Sequence, residues 1–266
     1  MNIFSQNQKA DLRLLCGLCS QLQVEWVLIG AMSYRLFLGD EFRQTQDIDI
    51  VVALDLDEFA KFQHSLTDSG WTQDSIQEQR WIAPHGAWID IIPAGEKSRV
   101  SKQLIWPRSG MLMNLAGFDQ VFQHCLECQV EEDLLIKVIP PSVLLLLKVY
   151  AFEDSPQGRE KDLLDIHNLL KHYESLSDRL FSEEVLNAEL PDIEYANAYL
   201  LGKEVSKNLP KEEVIAIEKF LEKISNSEES IHFTYRRLIG PGDEDVDRLH
   251  HRIEAFKKGV KENLHS

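Results

Sequence analysis

Apolar positions along this chain recur with two different periods, and the change of period divides it. Over residues 11–23, Leu12, Leu15, Cys16, Cys19 and Leu22 return every three or four positions, the spacing of one helix face. An apolar run over 25–29 then predicts a strand ending at Gly30, and residues 31–38 predict a helix closed by Gly39. Residues 47–53 predict the next strand, and 57–69 a helix ending at Gly70. Two short strand patterns, 80–83 and 87–92, flank Pro84-His85-Gly86 and read as a hairpin; residues 134–139 read as one more strand. Pro140-Pro141 marks a boundary, because proline ends one element and is well suited to begin a helix. Beyond it the helical period dominates, over 142–152, 159–173, 193–207, 211–225 and 243–262, with Pro, Gly or Ser between the segments. No internal repeat is visible. The division is an N-terminal α/β domain, 1–139, and a helical domain, 140–266.

At 266 residues the chain is long enough for two such cores. No apolar run approaches the roughly 18 residues needed to cross a bilayer, and the longest candidate, 143–149, is broken by Lys148. The first residues lack the basic start and apolar run of a signal peptide, so a cytoplasmic protein without membrane partners is expected. The formal net charge of -16 argues against broad electrostatic binding to DNA. One local basic cluster, Lys97, Arg99, Lys102 and Arg108, is either a phosphate-facing loop or a solvated surface loop. Four cysteines form two C-x-x-C pairs, Cys16/Cys19 and Cys125/Cys128, whose separation is far from zinc-finger spacing. Cys16 and Cys19 lie on the helical apolar stripe, and core packing is the expectation for them.

Candidate chemistry concentrates in the strand at 47–53. Residues two apart in a strand share a face, so Asp47 and Asp49 sit side by side while Ile48 and Ile50 turn inward. Adjacent carboxylates call for a proton or a cation between them, and a hard divalent ion with oxygen ligands suits the pair. Asp90 interrupts an otherwise apolar strand. If that strand lies beside the first, three carboxylates converge, enough for two ions about 3.5–4 Å apart. Lys148 ends a leucine run, where an unpaired buried ammonium would be costly; it either reaches a phosphate or snorkels to water. Asp162 and Asp165 share a helix face, where they either position Lys148 or Arg159 or are solvated. Ser33 either donates to a phosphate or caps its helix. Arg43 and Thr45 either touch phosphate or stabilise the local turn, and His250-His251 is expected to be exposed.

Gly30, the Asp47-x-Asp49 pair and the later Asp90 resemble the nucleotidyltransferase superfamily that includes DNA polymerase beta. Arg43-x-Thr45-x-Asp47-x-Asp49, the run Pro141 to Lys148, and Arg159 to Asp165 are similar to the nucleotidyltransferases related to abortive-infection toxins of type IV toxin-antitoxin systems. Ala31 departs from the Gly or Ser that many members carry after the first glycine. The resemblance, over roughly residues 24–170, implies an α+β fold. A mixed sheet flanked by helices would form the catalytic domain, and a C-terminal helical domain would contribute to the nucleotide and acceptor cleft. It implies a Mg²⁺- or Mn²⁺-dependent enzyme that moves a nucleoside monophosphate from a nucleoside triphosphate to a hydroxyl of an RNA such as tRNA, a protein or a small molecule. Asp47, Asp49 and Asp90 would be catalytic and metal-ligating; Gly30, Ser33, Lys148, Asp162 and Asp165 would bind substrate. A cognate antitoxin is the implied partner. The alternatives are a non-catalytic binding module of the same fold, an antibiotic-type small-molecule nucleotidyltransferase, or phosphoryl hydrolysis at the same site.

Overall fold

The computed structural model describes residues 3–39, 45, 47–175, 177–240 and 246–264. The chain forms two compact units, Met1–Pro140 and Pro141–Ser266. The first contains, in chain order, α1 (Gln6–Leu22), β1 (Trp26–Ile29), α2 (Gly30–Leu38), β2 (Ile48–Val52), α3 (Leu56–Asp68), β3 (Thr72–Gln73), β4 (Arg80–Ile82) and β5 (Trp88–Pro93). It continues with α4 (Glu96–Ser101), β6 (Gln103–Ile105), β7 (Leu112–Asn114), α5 (Phe118–His124), β8 (Leu126–Glu131) and β9 (Leu134–Val138). Seven strands make one mixed sheet in the order β3-β4-β5-β2-β1-β9-β8; β6 and β7 form a separate ribbon. In the sheet β2 is antiparallel to β1 and parallel to β5, while β1 is parallel to β9. This is the α+β architecture that the resemblance implied.

Local chemistry starts the elements where the chain needs them. Ser5 and Gln8 form a reciprocal cap on α1, and Asp55 and Glu58 do the same for α3, each satisfying two helix-end N–H groups. The central strands are buried on both faces: all four residues of β1, and Ile48, Ile50, Val51 and Val52 of β2, are closed to solvent. Burying side chains of that size contributes about 1.5–3 kcal/mol each. Asp11, fully buried on α1, accepts hydrogen bonds from the backbone of His85 and Ala87 and lies 2.9 Å from His85 Nδ1. It thereby ties the β4–β5 turn to the first helix.

The second unit is helical: α6 (Pro141–Asp154), α7 (Glu160–His172), α8 (Glu183–Leu186), α9 (Ala196–Asn208), α10 (Lys211–Ser225), α11 (Ser230–Ile239) and α12 (Val246–Leu264). Helices α9 and α12 approach so closely that a Cβ on Gly202 would stand 2.9 Å from the Phe256 carbonyl carbon. Among the described residues, no helix is long and apolar enough to cross a membrane.

Periodicity missed several elements. α4, α5, α8 and β3 are too short to show a period, the ribbon β6–β7 exposes Ile105 and Leu112, β8 is an edge strand with little buried side chain, and α11 was missed as well. Of the two cysteines expected to pack in the core, Cys19 is buried and Cys16 half-buried; all four are free. Burial pushes the Cys19 thiol up to about 12.

Candidate active site

The site is built by four neighbouring strands held in register. Across the sheet Arg80 of β4 pairs with Asp90 of β5, Asp90 pairs with Asp49 of β2, and Asp49 pairs with Ile29 at the end of β1. Cross-strand partners share a face, so Arg80, Asp90 and Asp49 form one polar row on a sheet whose neighbouring positions are apolar. Asp47 lies just before β2 and reaches the same row, as alternation requires.

Gly30 turns the chain from β1 into α2 with φ +69°, in the left-handed region. A Cβ there would overlap Asp49 Oδ2 and stand 2.8 Å from Asp49 Cγ and 2.9 Å from its Cβ. Glycine at this place is therefore required twice, by the backbone angle and by the carboxylate packed against it. Ile29 at the N-cap gives α2 no side-chain cap, so the first N–H groups of that helix offer donors to an anion.

Arg80 is the residue that sequence reasoning missed. Its Nε donates to Asp90 Oδ1 at 2.8 Å, and Nη2 donates to Asp90 Oδ2 at 3.0 Å and to Asp47 Oδ2 at 3.2 Å. The guanidinium also lies 5.3 Å from the centre of the Trp88 ring. The Arg80 and Asp90 side chains are only 17% and 13% exposed, whereas Asp47 is 43% exposed. The hydrogen bond to Asp90 is the main force raising the Arg80 pKa, with the charges of Asp90, Asp47 and Asp49 acting in the same direction. A signal was present: counting outward from the Pro84–Gly86 turn sets Arg80 opposite Asp90.

The adjacency assumed for β2 and β5 is real, and Asp49 and Asp90 are in register. Both Asp90 oxygens accept from the one Arg80 guanidinium. Among the described residues, no group of three or more His, Cys, Asp and Glu side chains is placed to hold a metal ion. The carboxylates of Asp47 and Asp49 share one face, and their oxygens are the donor type that a hard divalent ion takes. A cavity of about 590 Å³ opens beside Asp47, walled also by Arg35, Thr45, His85 and Trp88.

The remaining candidates are placed as follows. Ser33 is fully buried and its hydroxyl donates to the Gly30 carbonyl at 2.7 Å, so it braces the turn instead of facing a ligand. The Thr45 carbonyl accepts from Arg35 at 3.2 Å; Arg43 lies outside the described residues. In the helical unit, Lys148 Nζ bridges Asp162 at 2.6 Å and Asp165 at 2.7 Å, with Arg159 3.4 Å from Asp162. Both carboxylates are buried, so neither is a solvated charge, and the ammonium is answered within its own unit. Three members of the basic cluster are likewise answered locally. Lys97 reaches Asp57, Arg99 pairs with Asp119 and the Ala94 carbonyl, and Arg108 donates to the Asp74 carbonyl.

Residues 13–81, roughly a quarter of the chain, match the family described as nucleotidyl transferase AbiEii toxin, type IV toxin-antitoxin system. Among solved structures, the chain is similar to an antigenic nucleotidyltransferase-like protein from Paracoccidioides brasiliensis. The two are 16% identical over 80% of this chain and 94% of that one, with a TM-score of 0.44. It is also similar to a lincosamide antibiotic adenylyltransferase bound to lincomycin, at 20% identity over 60% and 94% of the two chains and a TM-score of 0.38. A Thermotoga maritima CCA-adding enzyme complexed with tRNA is 16% identical over 95% and 80%, with a TM-score of 0.26. No curated protein matches. The nucleotidyltransferase resemblance read from the sequence and the family match agree, and both are to a class of transferases.

Proposed function

We propose that this protein transfers a nucleoside monophosphate from a nucleoside triphosphate to a hydroxyl of an acceptor. The observation that carries the reading is the Asp49 carboxylate, held against the Gly30 turn at the open N-terminus of α2 and flanked by Asp47. Asp47 and Asp49 would hold Mg²⁺ or Mn²⁺, which when bound neutralises charge on the triphosphate. Gly30 lets backbone approach the phosphates, and the first N–H groups of α2 favour their negative charge. The acceptor oxygen attacks the α-phosphorus, the bond from that phosphorus to the bridging oxygen breaks, and pyrophosphate leaves. The acceptor proton passes to solvent or to a carboxylate of the row. Apolar neighbours on β2 and β5 hold these groups in one geometry, so little reorganisation is needed at the moment of transfer.

The acceptor is an RNA such as tRNA, a protein, or a small molecule. The matched family's description, a toxin of a toxin-antitoxin system, supports a cognate antitoxin as partner. The test is incubation with Mg²⁺, each α-³²P-labelled nucleoside triphosphate, and in turn total tRNA, the protein alone and an aminoglycoside. Label transfer that disappears in Asp49→Asn is the expected result and names the acceptor class. Absence of both transfer and triphosphate binding would overturn the reading in favour of a non-catalytic module.

A further inference from the structure

Asp11 is a fully buried carboxylate that the transfer step above does not use, and it lies against a half-exposed imidazole. Its Oδ2 accepts from the Ala87 N–H at 3.0 Å; its Oδ1 accepts from the His85 N–H at 2.9 Å and faces His85 Nδ1 at 2.9 Å. The two backbone bonds already tie the β4–β5 turn to α1. The ring contact does something different, because it sets the tautomer. A carboxylate offers only acceptor oxygens, so Nδ1 carries the ring proton and donates it, which leaves a lone pair on Nε2. With Nδ1 aimed at the interior, Nε2 is turned the other way, on a side chain that is 48% exposed. Among the described residues Nε2 meets no hydrogen-bond partner. His85 also walls the cavity of about 590 Å³ that opens beside Asp47, a volume of the size that small ligands occupy. The carboxylates near it are engaged: both Asp90 oxygens and Asp47 Oδ2 accept from Arg80.

From this geometry we infer that His85 takes the proton of the attacking hydroxyl, that Asp11 is its positioning residue, and that the cavity beside Asp47 receives the acceptor. The inference rests on the nucleotidyl-transfer reading and deepens it, giving the acceptor proton a named destination. The acceptor O–H passes its proton to His85 Nε2 as its oxygen forms the bond to the α-phosphorus. The bond from that phosphorus to the bridging oxygen breaks, and pyrophosphate leaves with the electron pair. The imidazolium so formed is opposed by the Asp11 carboxylate until it returns the proton to solvent. Asp11 acts only through the ring, by fixing its orientation and which nitrogen is bare, the task a buried carboxylate performs in other histidine-carboxylate pairs.

The test uses the full-length protein and two readouts. The first is the imidazole ¹⁵N spectrum without substrate, in mildly alkaline buffer where a free imidazole is neutral, with the His85 signals assigned by their loss in His85→Gln. A proton on Nδ1 and a bare Nε2 are expected in the native protein, and a shift toward the Nε2–H form in Asp11→Asn, whose amide can donate to Nδ1. An Nε2–H tautomer in the native protein would overturn the inference. The second readout is label transfer from α-³²P-labelled nucleoside triphosphate to total tRNA, the protein itself or an aminoglycoside. His85→Gln should lower kcat by about 10²–10⁴-fold while leaving the triphosphate KM within roughly threefold, and Asp11→Asn should lower kcat by at least about tenfold. His85→Gln keeps both backbone bonds to Asp11, so it decides the matter if circular dichroism shows Asp11→Asn unfolded. A kcat for folded His85→Gln within roughly threefold of native would overturn the inference and leave the transfer reading standing. Absence of transfer by the native protein to all three acceptors would remove the reading and the inference together.

Discussion

Replacing Gly30 by alanine tests whether the turn and the Asp49 carboxylate were shaped for one another. Two costs add. A non-glycine residue at φ +69° loses about 1–2 kcal/mol in the left-handed region. The new methyl would also stand within 2.9 Å of the Asp49 side chain, forcing that carboxylate off its rotamer for about another 0.5–1.5 kcal/mol. The expected loss is therefore about 1.5–3.5 kcal/mol, which for a unit of this size lowers the melting temperature by roughly 5–12 °C. Urea unfolding followed by tryptophan fluorescence reads it directly, since Trp26 and Trp81 lie in the sheet of this unit. On the metal reading proposed above, folded Gly30→Ala should also bind Mn²⁺ at least tenfold more weakly, because the added methyl displaces the Asp49 carboxylate. A stability loss under about 0.5 kcal/mol with unchanged Mn²⁺ affinity would refute the reasoning, since it would mean that the turn and the carboxylate are independent.

Two further outcomes are expected. Lys148→Met removes the ammonium shared by Asp162 and Asp165, whose side chains are 6% and 2% exposed; loss of one partner from such a cluster costs about 3–5 kcal/mol. Urea denaturation followed by far-ultraviolet circular dichroism would show this, and a change under about 1 kcal/mol would mean that the carboxylates do not depend on Lys148. Alkylation at neutral pH should modify Cys19 last of the four cysteines, because burial holds its pKa near 12 and keeps the thiolate scarce. Peptide mass spectrometry following the time course would contradict this if Cys19 reacted as fast as Cys125.

What the sequence determined by itself was local. The α1 and α3 helices, the turn at Gly30 and the hairpin at Pro84–Gly86 follow from patterns within a dozen residues, because helix and strand periods repeat over that length. The shared side of Asp47 and Asp49 also follows from alternation along one segment. Only the tertiary structure decided what these groups meet. Whether Asp90 stands beside Asp49 depends on β2 pairing with β5, strands separated in sequence by α3, β3 and β4. The capture of Asp90 by Arg80 depends on strand register, which a slip of one residue would reverse in face. The sequence left Ser33 as either a phosphate donor or a cap until the fold closed its hydroxyl against the Gly30 carbonyl, and left Asp162 and Asp165 as either partners of Lys148 or solvated charges until α7 brought both to it. Residue type fixes the charges and hydrogen-bonding groups available to the chain; packing and register decide which of them remain open to a ligand, because a buried charge takes the first partner that the fold provides.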